Sequence, residues 1–414
     1  MGQTIIEKII SNHSDTKVHS GELTIVDVDF VMATDTTAPL TIKAFQNMGG
    51  TKIWDSSKMA LIIDHASPAP NQQIASLHDL MREFAAEQNI KLYDVGEGIC
   101  HQLMIEDGHA KPGQLVLGAD SHTCTYGAIG TFATGVGSTD LAGVMLTGST
   151  WVKVPTTIKV SLNGTLQLGV TAKDLILYLA GQLGIQGATY EAIEFTGNVV
   201  EEMTLDSRMT LANMVIEMGA KAGLVDTRGL QLPYEYEQIE ADPDAVYSRV
   251  IDIDVSKIGP QVAVPHSPDN VMDISEVEEV EIQQAFIGSC TNGRLEDLHE
   301  AANILKGKKV HPKVRLIIAP ASRQVFQDAL ADGTVEVLSA AGATFLPSGC
   351  GPCVGTHQGI PGNGENVASS TNRNFQGRMG NRNSNVYLGS PAFVAAAALR
   401  GKITNPQAIK GGTL

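Results

Sequence analysis

Ala285-Phe-Ile-Gly-Ser-Cys-Thr-Asn292 and Thr344-Phe-Leu-Pro-Ser-Gly-Cys-Gly-Pro-Cys-Val-Gly355 follow one plan: a short apolar run, then glycine, then cysteine. A helical stretch over 296–305 follows the first. Both cysteine loops therefore fall at the carboxyl ends of strands, the rim where α/β sheets place ligand chemistry. The rhythm continues between them through apolar runs over 314–318 and 325–330.

The same alternation runs back to the N-terminus. Thr4 and Glu7 stand in capping-box spacing ahead of a helix with Ile5, Ile6, Ile9 and Ile10 on one side. Residues 23–31, 59–63 and 154–162 read as strands, and 74–88 as an amphipathic helix. Val116 and Leu117 end at Gly118, and a glycine-rich stretch (Gly127, Gly130, Gly135, Gly137) leads into a helix over 140–147. Thr171-Ala-Lys-Asp174 caps another helix, which runs to Gly184. Between residues 231 and 284 five prolines sit among many acids, marking the edge of a middle domain and a linker. These features predict an α/β fold with parallel or mixed sheets, and the length implies two or three domains.

The chain has 414 residues, 43% of them apolar, enough for a sizeable core. Its 45 acidic against 29 basic residues give a formal charge of -16. No basic face for phosphate is evident, which argues against nucleic acid as a partner. An anionic substrate needs local arginines to overcome the acidic field. No run approaches the ~18 apolar residues of a membrane span. Glu7 and Lys8 in the first turn exclude a secretory signal, and Ile6 stands where myristoylation requires Ser or Thr. A cytoplasmic location is expected. Five cysteines, two of them in a Cys-x-x-Cys, favour metal or redox chemistry over a disulfide framework.

Glycines around Cys290, Cys350 and Cys353 let the backbone approach a bulky inorganic cluster. Three thiolates hold three irons of a 4Fe–4S cube and leave the fourth open for Lewis-acid catalysis. Rival readings remain. Cys-Gly-Pro-Cys is also the thioredoxin tetrapeptide, His357 completes a Cys3His set for zinc, and buried free cysteines are the blandest reading. Cys100 and Cys124 read as packing residues.

Acid–base candidates are Asp64-His65, His101, and Asp120-Ser-His122, each just after an apolar run. A carboxylate beside an imidazole fixes its tautomer and raises its basicity. One such histidine alone reads as structural, whereas three together point to a shared cleft. Asn372-Arg-Asn-Phe-Gln-Gly-Arg378 carries Arg373 and Arg378, suited to carboxylates, while Arg382 reads as a surface residue. A Walker loop is absent, and Gly135-Val-Gly lacks the third glycine of a dinucleotide fingerprint.

Taken in order, Asp-Ser-His-Thr, Gly-Ser-Cys-Thr-Asn, Gly-Cys-Gly-Pro-Cys and Asn-Arg-Asn-Phe-x-Gly-Arg resemble the aconitase superfamily over nearly the whole chain. The likeness is nearest to its short two-subunit branch of isopropylmalate dehydratases and homoaconitases. The resemblance implies three α/β domains, at 1–155, 156–280 and 281–414, around one 4Fe–4S cluster. Cys290, Cys350 and Cys353 look like its ligands, with one iron not bound by protein. Asp64 and His65 resemble the pair that protonates the departing hydroxyl, with His101 beside them. Asp120 and His122 resemble the pair that hydrogen-bonds the water or hydroxide at the open iron. Asn213 and Glu217, four apart on one helix face, look like a cluster-contacting Asn and an iron-site Glu. Asn372 resembles a second cluster-side Asn, and Arg373 and Arg378 the substrate-carboxylate clamps.

Two departures stand out. Thr34-Asp35 replaces a Gln-Asp pair that binds substrate elsewhere in the superfamily. The Gly-Ser-Ser-Arg-Glu motif that supplies the base on a fourth, swivelling domain is missing, and the chain ends about where the first three domains end. A separate small subunit is therefore expected to bring the Ser base and the loop that selects the substrate. The implied reaction is dehydration and rehydration of a hydroxy-di- or tricarboxylate such as isopropylmalate. Homoaconitate, aconitate, citraconate or dimethylmalate are alternatives, and a non-enzymatic cluster-bearing regulator is a remote one.

Overall fold

Thr4 accepts the Glu7 amide at 3.2 Å and Glu7 returns the bond to the Thr4 amide at 2.8 Å, so helix Ile5–Asn12 opens on the expected capping box. A computed structural model describes residues 2–277 and 279–409. The chain is α/β, and among the described residues the strands form three sheets and one ribbon.

The first sheet takes β2 (Phe30–Thr34), β3 (Met59–Ile62), β4 (Lys91–Tyr93), β5 (Leu115–Gly118) and β6 (Phe132–Gly135), all parallel, in the order β4-β3-β2-β5-β6. Apart from it, β1 (Leu23–Asp27) pairs antiparallel with β7 (Ser149–Lys153). The strand expected over 23–31 is thus two strands in different layers. Asp29 makes the break, because its carboxylate accepts the Leu115 amide at 2.8 Å and meets His13 Nε2 at 2.7 Å instead of extending a ladder. The strand expected from 154 starts at Thr157, since Pro155 has no amide to offer.

The middle sheet, β10-β9-β8-β11, is also parallel, with β8 (Thr157–Asn163), β9 (Ala192–Thr196), β10 (Ala222–Val225) and β11 (Arg249–Asp254). Helix Ala172–Leu183 in this region begins at a second capping box, Thr171 with Asp174. The acidic, proline-bearing stretch supplies β11 as well as β12 (Gln261–Ala263) and β13 (Val271–Asp273).

The third sheet runs β13-β12-β18-β17-β14-β15-β16. Its parallel part is β14 (Gln284–Ile287), β15 (Arg315–Ile318), β16 (Thr344–Phe345), β17 (Asn366–Ser369) and β18 (Asn385–Leu388). Helix Pro391–Arg400, rich in alanine, is buried along most of its length against this sheet's core. One apolar cluster joins Phe30, Val160 and Phe286, one residue from each sheet, so the three layers share a continuous core.

Strand order locates the chemistry. In the first sheet the chain moves from β2 outward to β4, then returns to β5 and β6 on the other side. In the third it moves from β14 to β16 and returns to β17 and β18. Each reversal leaves a crevice at the strands' carboxyl ends, between β2 and β5 and between β14 and β17.

Candidate active site

Both crevices open on one cleft of about 310 Å³ lined by His65, His101, Asp120, His122, Cys290, Cys350, Cys353, Asn372, Arg373 and Arg378. Asp64 lies fully buried just behind His65, and Asn213 and Glu217 stand behind the thiols and His122. Every residue singled out in the sequence thus belongs to one neighbourhood.

The acid–base side hangs from the first sheet. His65 Nδ1 lies 2.7 Å from Asp64 Oδ1, and its Nε2 lies 3.5 Å from Asp120 Oδ2. Burial works to lower the imidazole, but Asp64 and Asp120 outweigh it and hold His65 well above the ordinary value. Asp120 also meets His101 Nε2 at 2.9 Å and accepts the His122 amide at 2.8 Å. Burial alone favours its neutral form, and the surrounding histidines reverse that, holding Asp120 well below the carboxylate range. His101, lowered chiefly by burial, takes its other contact from the Tyr126 hydroxyl at 3.1 Å. His122 Nε2 meets Glu217 Oε1 at 2.9 Å, and Arg373 Nε donates to both Glu217 oxygens at 2.8 Å.

The thiol side hangs from the third sheet. Cys290 follows β14, and the Cys350–Cys353 turn follows β16. Gly349 has φ +154°, and a Cβ there would sit 2.9 Å from the Asp64 carbonyl oxygen, too close for any side chain. That approach lets the Cys350 amide donate to the same carbonyl at 2.9 Å. Gly351, at φ +60°, makes the turn that an L side chain resists.

Polar hydrogens converge on the sulfurs. Asn213 Nδ2 reaches Cys290 Sγ at 3.2 Å, Asn372 Nδ2 reaches it at 3.6 Å, and Arg378 Nη2 lies 3.9 Å from Cys353 Sγ. The Cys350 thiol donates toward Cys353, and with burial opposing and Arg378 assisting, Cys353 is pulled down toward thiolate while Cys350 is pushed up. Burial pushes Cys290 up to about 12. A thiol site that is partly thiolate and ringed by N–H donors fits an anionic, sulfide-rich group.

Among the described residues, the one Cys/His/Asp/Glu trio whose ligand atoms all lie within 4.8 Å is Asp35, Asp64 and His65. The three thiols do not all lie within that distance, although the Cys350 thiol reaches Cys353. Cys100 and Cys124 are fully buried with thiols pushed up by burial, as packing residues should be.

Sequence reasoning left Asp35 unexplained. Its carboxylate accepts the amides of His65 (2.9 Å) and Ala66 (2.8 Å) and meets His78 Nε2 at 3.3 Å, so it holds the His65 loop from beneath. Despite burial, those partners lower it to about 2. The trio with metal-like spacing is therefore occupied with hydrogen bonds of its own. A signal was available: β2, β3 and β5 are adjacent, and each is followed within two residues by an aspartate, Asp35, Asp64 and Asp120. His78 and Tyr126 carried no signal, His78 being one of many polar residues on an amphipathic helix and Tyr126 a lone aromatic in a threonine- and glycine-rich stretch.

A three-sheet α/β fold with thiols and paired Asp–His groups at two facing switch points defines a class. The chain belongs to the aconitase family (aconitate hydratase), matching it over residues 7–279 and 275–401. It is 50% identical over 98% of its length to 3-isopropylmalate dehydratase large subunit 1 of Methanopyrus kandleri, covering 99% of that protein. It is 48% identical to the protein of the same name from Thermotoga maritima, covering 98% of this chain and 99% of the relative. The 3-isopropylmalate dehydratase large subunit of Elusimicrobium minutum is also 48% identical, over 99% of this chain and 100% of its own length. Among the described residues no helix is long and apolar enough to cross a membrane.

Proposed function

We propose that the chain is the large, catalytic subunit of a 3-isopropylmalate dehydratase, a hydro-lyase that isomerises its substrate by removing and restoring water in leucine biosynthesis. The observation that carries this reading is the meeting, in one cleft, of a carboxylate-flanked His65 with three thiols and two arginines. Relatives of that name at 48–50% identity over nearly the whole chain support the substrate. The cofactor is one 4Fe–4S cluster on Cys290, Cys350 and Cys353, with one iron not bound by protein. Bound there, it supplies Lewis acidity that weakens a carbon–oxygen bond. Asn213 and Asn372 donate to its ligand sulfur, and Glu217 faces the iron site with His122.

The chain's own groups divide the remaining work. Arg373 and Arg378 bind the substrate carboxylates. Arg378 Nε is buried with no acceptor among the described residues, which suits an arriving anion. His65, kept protonated by Asp64 and Asp120, presents Nε2–H to the departing hydroxyl, while Nδ1–H stays with Asp64. His101 and His122 fix Asp120 in its charged form, which favours protonated His65; the proton it gives to the departing hydroxyl returns from the water that re-adds. The base that takes the proton α to a carboxylate is a Ser on a separate small subunit, a swivel domain that also carries the specificity loop. The domains run 1–155, 156–280 and 281–414, although the β12–β13 hairpin of the second segment pairs into the third sheet. A cytoplasmic location completes the proposal.

Anaerobic co-expression with a small subunit, assayed against isopropylmalate, homoaconitate, aconitate, citraconate and dimethylmalate, tests it. Fastest turnover is expected with isopropylmalate. Faster turnover of another acid overturns the substrate, and a colourless, zinc-replete protein overturns the cofactor.

A further inference from the structure

Lys173 sits in the first turn of helix Ala172–Leu183 and is 0% exposed. An ammonium removed from water is costly unless its charge is answered. Its three N–H bonds all go to uncharged oxygens: Asn292 Oδ1 at 3.1 Å, the Ser370 carbonyl at 2.7 Å and the Thr371 carbonyl at 2.7 Å. Those acceptors belong to two loops. One leaves β14 and carries Cys290 two residues before Asn292. The other leaves β17 and carries Asn372, whose amide nitrogen lies 3.6 Å from Cys290 Sγ and whose Oδ1 faces Cys353 Sγ at 3.8 Å. Lys173 therefore bridges both sides of the β14/β17 crevice from a helix outside the third sheet.

Among the described residues no carboxylate forms an ion pair with it. Asp297 and Asp174 act on Lys173 through space, but burial pushes them up to about 7 and about 6. Burial likewise pulls the amine down to about 7 in the metal-free chain. A 4Fe–4S cube on three thiolates is net negative, and net charge near such a cluster sets its potential.

We propose that Lys173 is a positioning residue for the cluster: it pins the Cys290 and Asn372 loops together and is the buried counter-charge to the loaded thiolates. This rests on the cluster reading above. The two roles separate by chemistry. Gln at this position keeps a donor for the loop carbonyls without charge, and Met keeps only the stem.

The test uses full-length wild type, Lys173→Gln and Lys173→Met, purified without oxygen and reconstituted with iron and sulfide. Three quantities are read: the rate of iron release to a chelator, the cluster's reduction potential, and the melting temperature with and without metal. Both variants are expected to show a lower potential. Lys173→Met is expected to release iron about tenfold faster or more, as loss of an outer partner does elsewhere, and Lys173→Gln less so. Lys173→Met, which leaves three buried acceptors without a donor, is expected to melt below wild type, and by more with metal than without, because the cluster is what answers the charge. If both variants lose stability equally with and without metal, while potential and iron release stay as in wild type, Lys173 is merely structural and the inference falls. A wild-type chain that takes up no iron overturns the cluster reading, and the inference with it.

Discussion

Asp35 and His65 are joined through the backbone: the carboxylate of one accepts the amide of the other at 2.9 Å, and the Ala66 amide follows at 2.8 Å. A carboxylate from β2's end thus sets the tilt of a histidine from β3's end. Asp35→Asn replaces one accepting oxygen by an amide that faces these donors. Turnover with the small subunit present is expected to fall about ten- to a hundredfold with KM nearly unchanged, and stability to fall by about 1–3 kcal/mol in urea unfolding.

The same carboxylate makes a pH prediction. Its folded-state pKa of about 2 lies below the unfolded value, so its stabilisation is full above the unfolded value and is lost as pH falls through about 2. The contribution is about 2 kcal/mol. Urea midpoints measured from pH 5 down to pH 2 are expected to fall less steeply for Asp35→Asn than for wild type. Parallel slopes would show that Asp35 carries no such shift.

His65→Ala removes the proposed proton donor but no ligand. Turnover is expected to drop by roughly two to four orders of magnitude while substrate binding changes little. Iron content is measured first, because cluster loss mimics the effect. Near-normal turnover with a full complement of iron would move the donor role to His101.

Arg373→Lys and Arg378→Lys keep the charge and lose the planar fork. Substrate binding is expected to weaken by about 2–3 kcal/mol each, read as raised KM with iron retained. Arg373→Lys also loosens Glu217, which Arg373 holds through Nε, so it is expected to lower kcat as well.

Replacing Cys290, Cys350 or Cys353 by Ser is expected to bleach the anaerobic protein. Cys100→Ser and Cys124→Ser are expected to leave the colour, since neither thiol lines the cleft. Visible absorption and iron assay on the five variants decide the assignment.

Much of this was legible in the sequence where a local rule controls the outcome. The capping boxes at Thr4 and Thr171 depend on four consecutive residues, and both formed. The cysteine loops were readable because glycine is needed where backbones meet, as Gly349 does against Asp64. What escaped depends on distant partners. The β-branched run over 23–31 reads as one strand until Leu115, far along the chain, claims Asp29. Lys173 reads as an ordinary residue of a helix's first turn, because its acceptors lie about 120 and 200 positions away.

Asp64 faces both halves of the site at once. Its carboxylate holds His65 and the Cys100 amide, and its carbonyl holds the Cys350 amide. One residue is therefore a mechanical linkage between the Cys350 turn and the His65 imidazole. A displacement of the Cys350 turn reaches the His65 imidazole through a path one residue long.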